Sequence, residues 1–156
     1  MDINIDYYQG LIKGKIAEII FEEMFKASGK FTVLQMGYEH TLPQLAQYQH
    51  HVQVQRVLEN IRHAPDFVLI SENKEKVYLV EVKYKHIINN EYQLKQAEEI
   101  DKRCSPCFIF LATKEKFYFD SCTKIITTKG QISELSEYWI SKNIQCIFMK
   151  VLNMFI

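Results

Sequence analysis

Apolar positions recur at helical spacing through residues 8–27. Ile12, Ile16, Ile19, Ile20 and Met24 form one face, and Phe21 and Phe25 lie on roughly the opposite side. The pattern predicts a helix covered on two sides and ended by Ser28-Gly29. Residues 31–38 read as a strand. Residues 42–62, with Leu45, Tyr48, Val52, Val54, Val57, Leu58 and Ile61, read as a helix rich in Gln and His. Strands are predicted at 66–70, after Pro65, and at 77–84. The polar run Ser71-Glu72-Asn73-Lys74-Glu75-Lys76 between them predicts a hairpin. Asn89-Asn90 offers an N-cap for a helix to residue 103, with Leu94, Ala97 and Ile100 inward. A buried strand is expected at 107–112 and two short strands at 116–120 and 124–128. A helix at 132–142 and a closing strand at 144–152 complete the reading. This succession predicts an α/β or α+β layered domain.

Size and composition narrow the class. The 156 residues suit one domain spanning 1–156, with no Pro- or Gly-rich linker to divide it. Hydrophobic residues make up 47% and charged residues 24%, an ordinary globular balance. No apolar run approaches the roughly 20 residues that span a bilayer. The acidic start, Asp2 to Asp6, lacks the basic region of a signal peptide. The expectation is a cytoplasmic protein whose Cys104, Cys107, Cys122 and Cys146 are reduced. A formal net charge of zero means that any affinity for nucleic acid must come from a local basic patch or a metal.

Chemistry concentrates in the hairpin. With its turn centred on residues 73 and 74, Ile70 faces Val77 and Asp66 faces Glu81. Opposed residues share a face of the sheet, so two carboxylates stand side by side and repel. A divalent cation is the simplest neutraliser. Lys83, two residues on from Glu81, shares that face by strand alternation. Val77, Leu79, Val80 and Val82 are apolar, so Glu81 and Lys83 interrupt a buried-looking strand. Oxygen ligands suit Mg²⁺ or Mn²⁺. Such an ion activates water and stabilises charge on a phosphate, with the lysine orienting the water or the transition state. The plainer reading is an edge strand with a solvated Glu and Lys, because short E-x-K strings are common.

Pro65-Asp66, a short turn, and Glu81-Val82-Lys83 at the end of an apolar strand resemble the PD-(D/E)xK nuclease superfamily. The resemblance covers roughly the first three quarters of the chain. It implies a restriction-endonuclease-like core, a mixed central β-sheet flanked by helices in αβββαβ order. It implies a metal-dependent endonuclease in which Asp66, Glu81 and the Val82 carbonyl bind Mg²⁺ or Mn²⁺ and Lys83 assists the attacking water. Lys13-Gly14-Lys15-Ile16-Ala17-Glu18 looks like the G-x-x-x-E pattern of resolvase-like members, which implies that Glu18 joins the site; Glu22, one turn on, competes for that role. A Gln on the helix after the motif often lines such sites, here Gln93 or Gln96, although Gln93 also suits a capping box with Asn90. The implied substrate is DNA, branched and single-stranded forms included. Paired sites that cut both strands make a homodimer one arrangement the resemblance implies.

Other signals weigh less. Cys104-Ser105-Pro106-Cys107 has metal-knuckle spacing, but no second pair follows it, and buried free thiols are the simpler reading. His50-His51 point about 100° apart on a helix and do not easily share one ion. Arg56, Arg62 and the histidines of residues 48–63, with Lys83, Lys85 and His86, offer a modest basic lining for a phosphate backbone. Two rival functions stay open: a catalytically silent nuclease-fold subunit or DNA-binding module of a repair, restriction or transposition complex, whose partner supplies specificity, and an interaction domain in which the triplet is coincidence.

Overall fold

A computed structural model describes residues 2–36 and 64–156. The predicted helix at 42–62, His50-His51 and the basic segment at 48–63 lie outside the described residues. The chain opens with helix α1 (Ile5–Ala27), followed by strands β1 (Phe31–Gln35), β2 (Phe67–Ser71) and β3 (Val77–Tyr84). Helix α2 (Asn90–Arg103) leads to β4 (Cys107–Ala112) and β5 (Phe117–Ser121), and helices α3 (Cys122–Thr127) and α4 (Lys142–Phe155) end the chain. The order over the first six described elements is helix, three strands, helix, strand, as expected. One mixed sheet runs β1-β2-β3-β4-β5, antiparallel throughout except for the parallel β3–β4 pair. Parallel neighbours need a crossover, which α2 supplies.

Each helix start has a local cause. Asn4 Oδ1 accepts the Tyr7 N–H at 3.1 Å, so α1 begins three residues before its apolar periodicity does. At α2 the cap is reciprocal: Asn89 Oδ1 accepts the Tyr92 N–H at 3.2 Å while Gln93 Oε1 accepts the Asn89 N–H at 3.2 Å. Ser121 and Ser141 cap α3 and α4.

Two apolar clusters sandwich the sheet. On one face α1 and α4 pack Ala17, Ile20, Phe21, Met24, Phe25 and Leu152 against Val33, Phe67, Leu69, Val80, Val82 and Phe110. On the other, Ala97 and Ile100 of α2 and Cys122 and Ile125 of α3 cover Cys107, Ile109 and Leu111. Each buried Phe, Leu or Ile contributes about 1.5–3 kcal/mol through removal from water. Gly130 sits where these helices meet. Its φ is 97°, and a Cβ there would come within 2.0 Å of the Asn90 carbonyl oxygen, so the loop after α3 presses on the start of α2 only because it has no side chain.

The C-terminal third departs from the sequence reading. Residues 124–128 were expected as a strand, yet α3 occupies 122–127, because the Ser121 hydroxyl caps it and Cys122 and Ile125 point together into the α2 cluster. The expected closing strand at 144–152 is α4. Its apolar run hides a helical period in which Ile144, Phe148 and Val151 pack with Leu152 on the α1 face. The expected helix at 132–142 is extended and turn-like instead. Phe119 N–H donates to the Ser133 carbonyl at 2.9 Å and Leu135 N–H to the Phe117 carbonyl at 2.9 Å, so this segment borders β5. The first helix was expected to be covered on both sides, but Ile12 and Ile19 are exposed. No helix among the described residues is long and apolar enough to cross a membrane.

Candidate metal and catalytic site

The hairpin has the register its turn predicts. Ile70 pairs with Val77 and Phe67 with Val80. The residues just beyond, Asp66 and Glu81, are next in line, and they meet. Asp66 Oδ2 accepts the Val82 N–H at 2.8 Å, and the two carboxyl groups lie within hydrogen-bond reach of each other.

Two consequences follow for β3. First, β2 begins at Phe67, so Asp66 replaces a strand residue as the acceptor for Val82. Within a strand the N–H and C=O of one residue point the same way, so the Val82 carbonyl is directed towards the Asp66 side. Second, Val80 and Val82 belong to the α1 face, and alternation sends Glu81 and Lys83 to the α2 face. Glu81 is 7% exposed. Burial, and then the charge of Asp66, push its carboxyl up to about 7, against the pull of Lys83 and Arg103. A cation held between the two carboxylates would relieve the repulsion of Asp66.

Arg103 was missed by the sequence reading. It closes α2, and that helix returns along β3, so its guanidinium acts on Glu81 together with Lys83. The spacing from motif strand to helix end carries no local signature that could have shown this. Lys85, further along, lies 3.8 Å from the centre of the Tyr92 ring, a close cation–π contact.

The other candidates stand on the two flanking helices. Glu18 is on α1, on the opposite face of the sheet, with its carboxylate 3.3 Å from Lys15 Nζ. Glu22 is buried on the same helix, receives a hydrogen bond from the Gln35 amide and pairs with Lys26 at 2.7 Å. Gln93 is buried too, but its amide is taken up by the Gly130 carbonyl and the Asn89 N–H, which makes it a cap and a clasp for the loop after α3. Gln96 flanks the buried stripe of α2 and is half-buried. All four cysteines are free. Cys104 and Cys107 stand near Glu81; burial raises the thiol of Cys104, and a hydrogen bond with Cys122 followed by burial raises that of Cys107.

Among the described residues no three His, Cys, Asp or Glu side chains form a ready-made cation cage. Two carboxylates and one directed carbonyl fit an ion that keeps part of its water shell, as Mg²⁺ does. They offer zinc neither the imidazole nor the thiolate ligands that it favours.

No family model matches this chain, and no curated protein does. Among solved structures the chain is similar to a Holliday junction resolvase from the archaeal hyperthermophile Archaeoglobus fulgidus. The identity is 13%, the TM-score is 0.39, and the likeness covers 86% of this chain and 98% of that one. A likeness at that score is too slight to carry fold or activity from one to the other.

Proposed function

We propose that this protein is a metal-dependent nuclease that hydrolyses DNA phosphodiester bonds. The observation that carries the reading is the pairing of Asp66 with Glu81 at the open end of β2, with Lys83 on the same face two residues on. Asp66, Glu81 and the Val82 carbonyl would hold Mg²⁺ or Mn²⁺. The bound ion would supply Lewis acidity to a scissile phosphate and a water of lowered pKa. Lys83 orients that water or meets the charge that develops on the phosphate. Arg103 and Lys85 offer positive charge to flanking phosphates. Glu18 is the third acid the sequence resemblance implies.

Cleavage assays with Mg²⁺ or Mn²⁺ on supercoiled plasmid, single strands and branched junctions, with an EDTA control, test the reading. Metal-dependent cutting of at least one substrate, abolished by Asp66→Asn and by Lys83→Ala in folded protein, is expected. A protein inert on all three would leave a silent nuclease-fold subunit as the better account.

A further inference from the structure

The loop that follows β3, residues 85–89, carries an apolar ridge. Ile87 at its tip is 73% exposed, whereas its neighbour Ile88 packs into the α2 cluster. Both ends of the loop are held. The Lys85 N–H donates to the Ala112 carbonyl at 3.0 Å, and Asn89 caps α2. The ridge therefore stands on a fixed base, with a hollow on either side. One, of about 390 Å³, has Lys85 and Tyr92 in its lining. The other, of about 370 Å³, has His86, Lys114 and Tyr118. Ile87 and Ile88 form the wall common to both.

These hollows continue the face of the candidate site. Lys83 pairs with Leu111 and Leu111 with Tyr118, so the three stand in one row across β3, β4 and β5. Two strand spacings place Tyr118 about 10 Å from Lys83. Ile87 is four residues beyond Lys83, at most about 14 Å along the chain. Glu115 is the one acid among the described residues that line the hollows, so this surface has a local excess of positive charge in a chain whose formal net charge is zero.

A single exposed isoleucine on a protein surface calls for no explanation. This one rises between two hollows, each with an aromatic ring in its wall and cations at its border. Apolar side chains that enter between base steps unstack them. Bases freed from the stack settle on aromatic rings, and their phosphates follow the cations. We propose that Ile87 is a wedge that parts the two strands of a DNA duplex beside the cleavage site, with the hollows at Tyr92 and Tyr118 receiving the unstacked bases. The choice of DNA as the polymer rests on the nuclease reading. Successive bases of a strand are about 3.4 Å apart, so the strands part within about four nucleotides of the bond that is cut. The substrate class that follows is a duplex cut close to the point where its strands separate, not a continuous helix.

The fluorescence of 2-aminopurine, which rises when a base leaves the stack, reads this parting without any cutting. The test uses the full chain in an Asp66→Asn background with Mg²⁺, and a DNA fork that carries 2-aminopurine at its last base pair. At saturating protein the signal should rise at least about twofold as that pair unstacks. Ile87→Ser, with an unchanged melting temperature, should lose most of the rise, and Ile87→Leu should restore it. A fork that binds without brightening, an equal rise with Ile87→Ser, or no binding of the fork overturns the proposal. Cutting by the protein with Asp66 intact is scored separately. Its absence brings down the nuclease reading and leaves the wedge to be decided by the fluorescence.

Discussion

The carboxylate of Asp66 accepts the backbone N–H of Val82 at 2.8 Å, which binds the residue that precedes β2 to the strand that carries Glu81 and Lys83. One side chain thus fixes the hairpin's open end and brings an acid to the Glu81 carboxyl. The two roles separate under substitution. Asp66→Asn keeps an oxygen acceptor for Val82, so stability should change by no more than about 1 kcal/mol, while cleavage falls by at least about 100-fold through loss of a metal ligand. Asp66→Ala leaves the N–H without its partner and should cost about 1–3 kcal/mol in addition. Urea unfolding beside plasmid nicking distinguishes them.

Glu81 predicts how stability follows pH. Its carboxyl is raised from 4.5 to about 7 by burial and by Asp66, so between those values the folded state holds a proton that the unfolded state has released. The associated stabilisation is complete below about pH 4.5 and is lost as pH rises through about 7. Metal-free protein should therefore melt at a higher temperature at about pH 6 than at about pH 8. A divalent cation replaces the proton, so Mg²⁺ should raise the melting temperature more at the higher pH. Glu81→Gln should flatten both dependences, which differential scanning calorimetry reads directly.

Lys83 shares the face of Glu81 but is not among the proposed ligands. Lys83→Ala should leave Mn²⁺ affinity within a few fold of wild type and lower the cleavage rate by about 100- to 1,000-fold, the scale of losing one group that stabilises transition-state charge. Calorimetric Mn²⁺ titration paired with single-turnover cleavage checks this. Equal loss in binding and rate would recast Lys83 as a structural counter-charge.

On α1 the two acids should behave differently. Glu22 is buried while its partners Gln35 and Lys26 reach solvent, so Glu22→Ala should destabilise by about 0.5–1.5 kcal/mol through loss of the hydrogen bond to Gln35. Glu18→Ala should change stability by less than about 1 kcal/mol, as expected for a partly exposed ion pair, and should lower cleavage if that carboxylate reaches the metal. Unfolding midpoints and cleavage rates of the two variants decide it.

The hairpin was legible because its information is local. A polar turn of fixed length sets the register, and a slip of one residue would turn Val80 and Val82 out of the core. The bounds of β3 and β4 and a cap for α2 at Asn89-Asn90 were readable for the same reason, although the side chain that caps is Asn89 and its reciprocal partner Gln93 lies four residues on, not three. The last third was not, because its period is masked by apolar residues on every side: α4 presents Ile144, Cys146, Ile147, Phe148 and Met149 almost without interruption, and only the packing against α1 shows which of them face inward. Residues 132–142 have apolar spacing that suits a helix, yet the unpaired edge of β5 takes their backbone hydrogen bonds. Arg103 was out of reach because its place beside Glu81 depends on the return of α2 along the sheet.

The central claim is that Asp66 and Glu81 together hold one divalent cation. Mn²⁺ titration followed by electron paramagnetic resonance tests it most directly, with wild type, Asp66→Asn and Glu81→Gln side by side at a pH above 7. The account predicts one bound ion per chain in the wild type and a large loss of affinity in each variant. Equal binding by all three proteins, or none by the folded wild type, would contradict it.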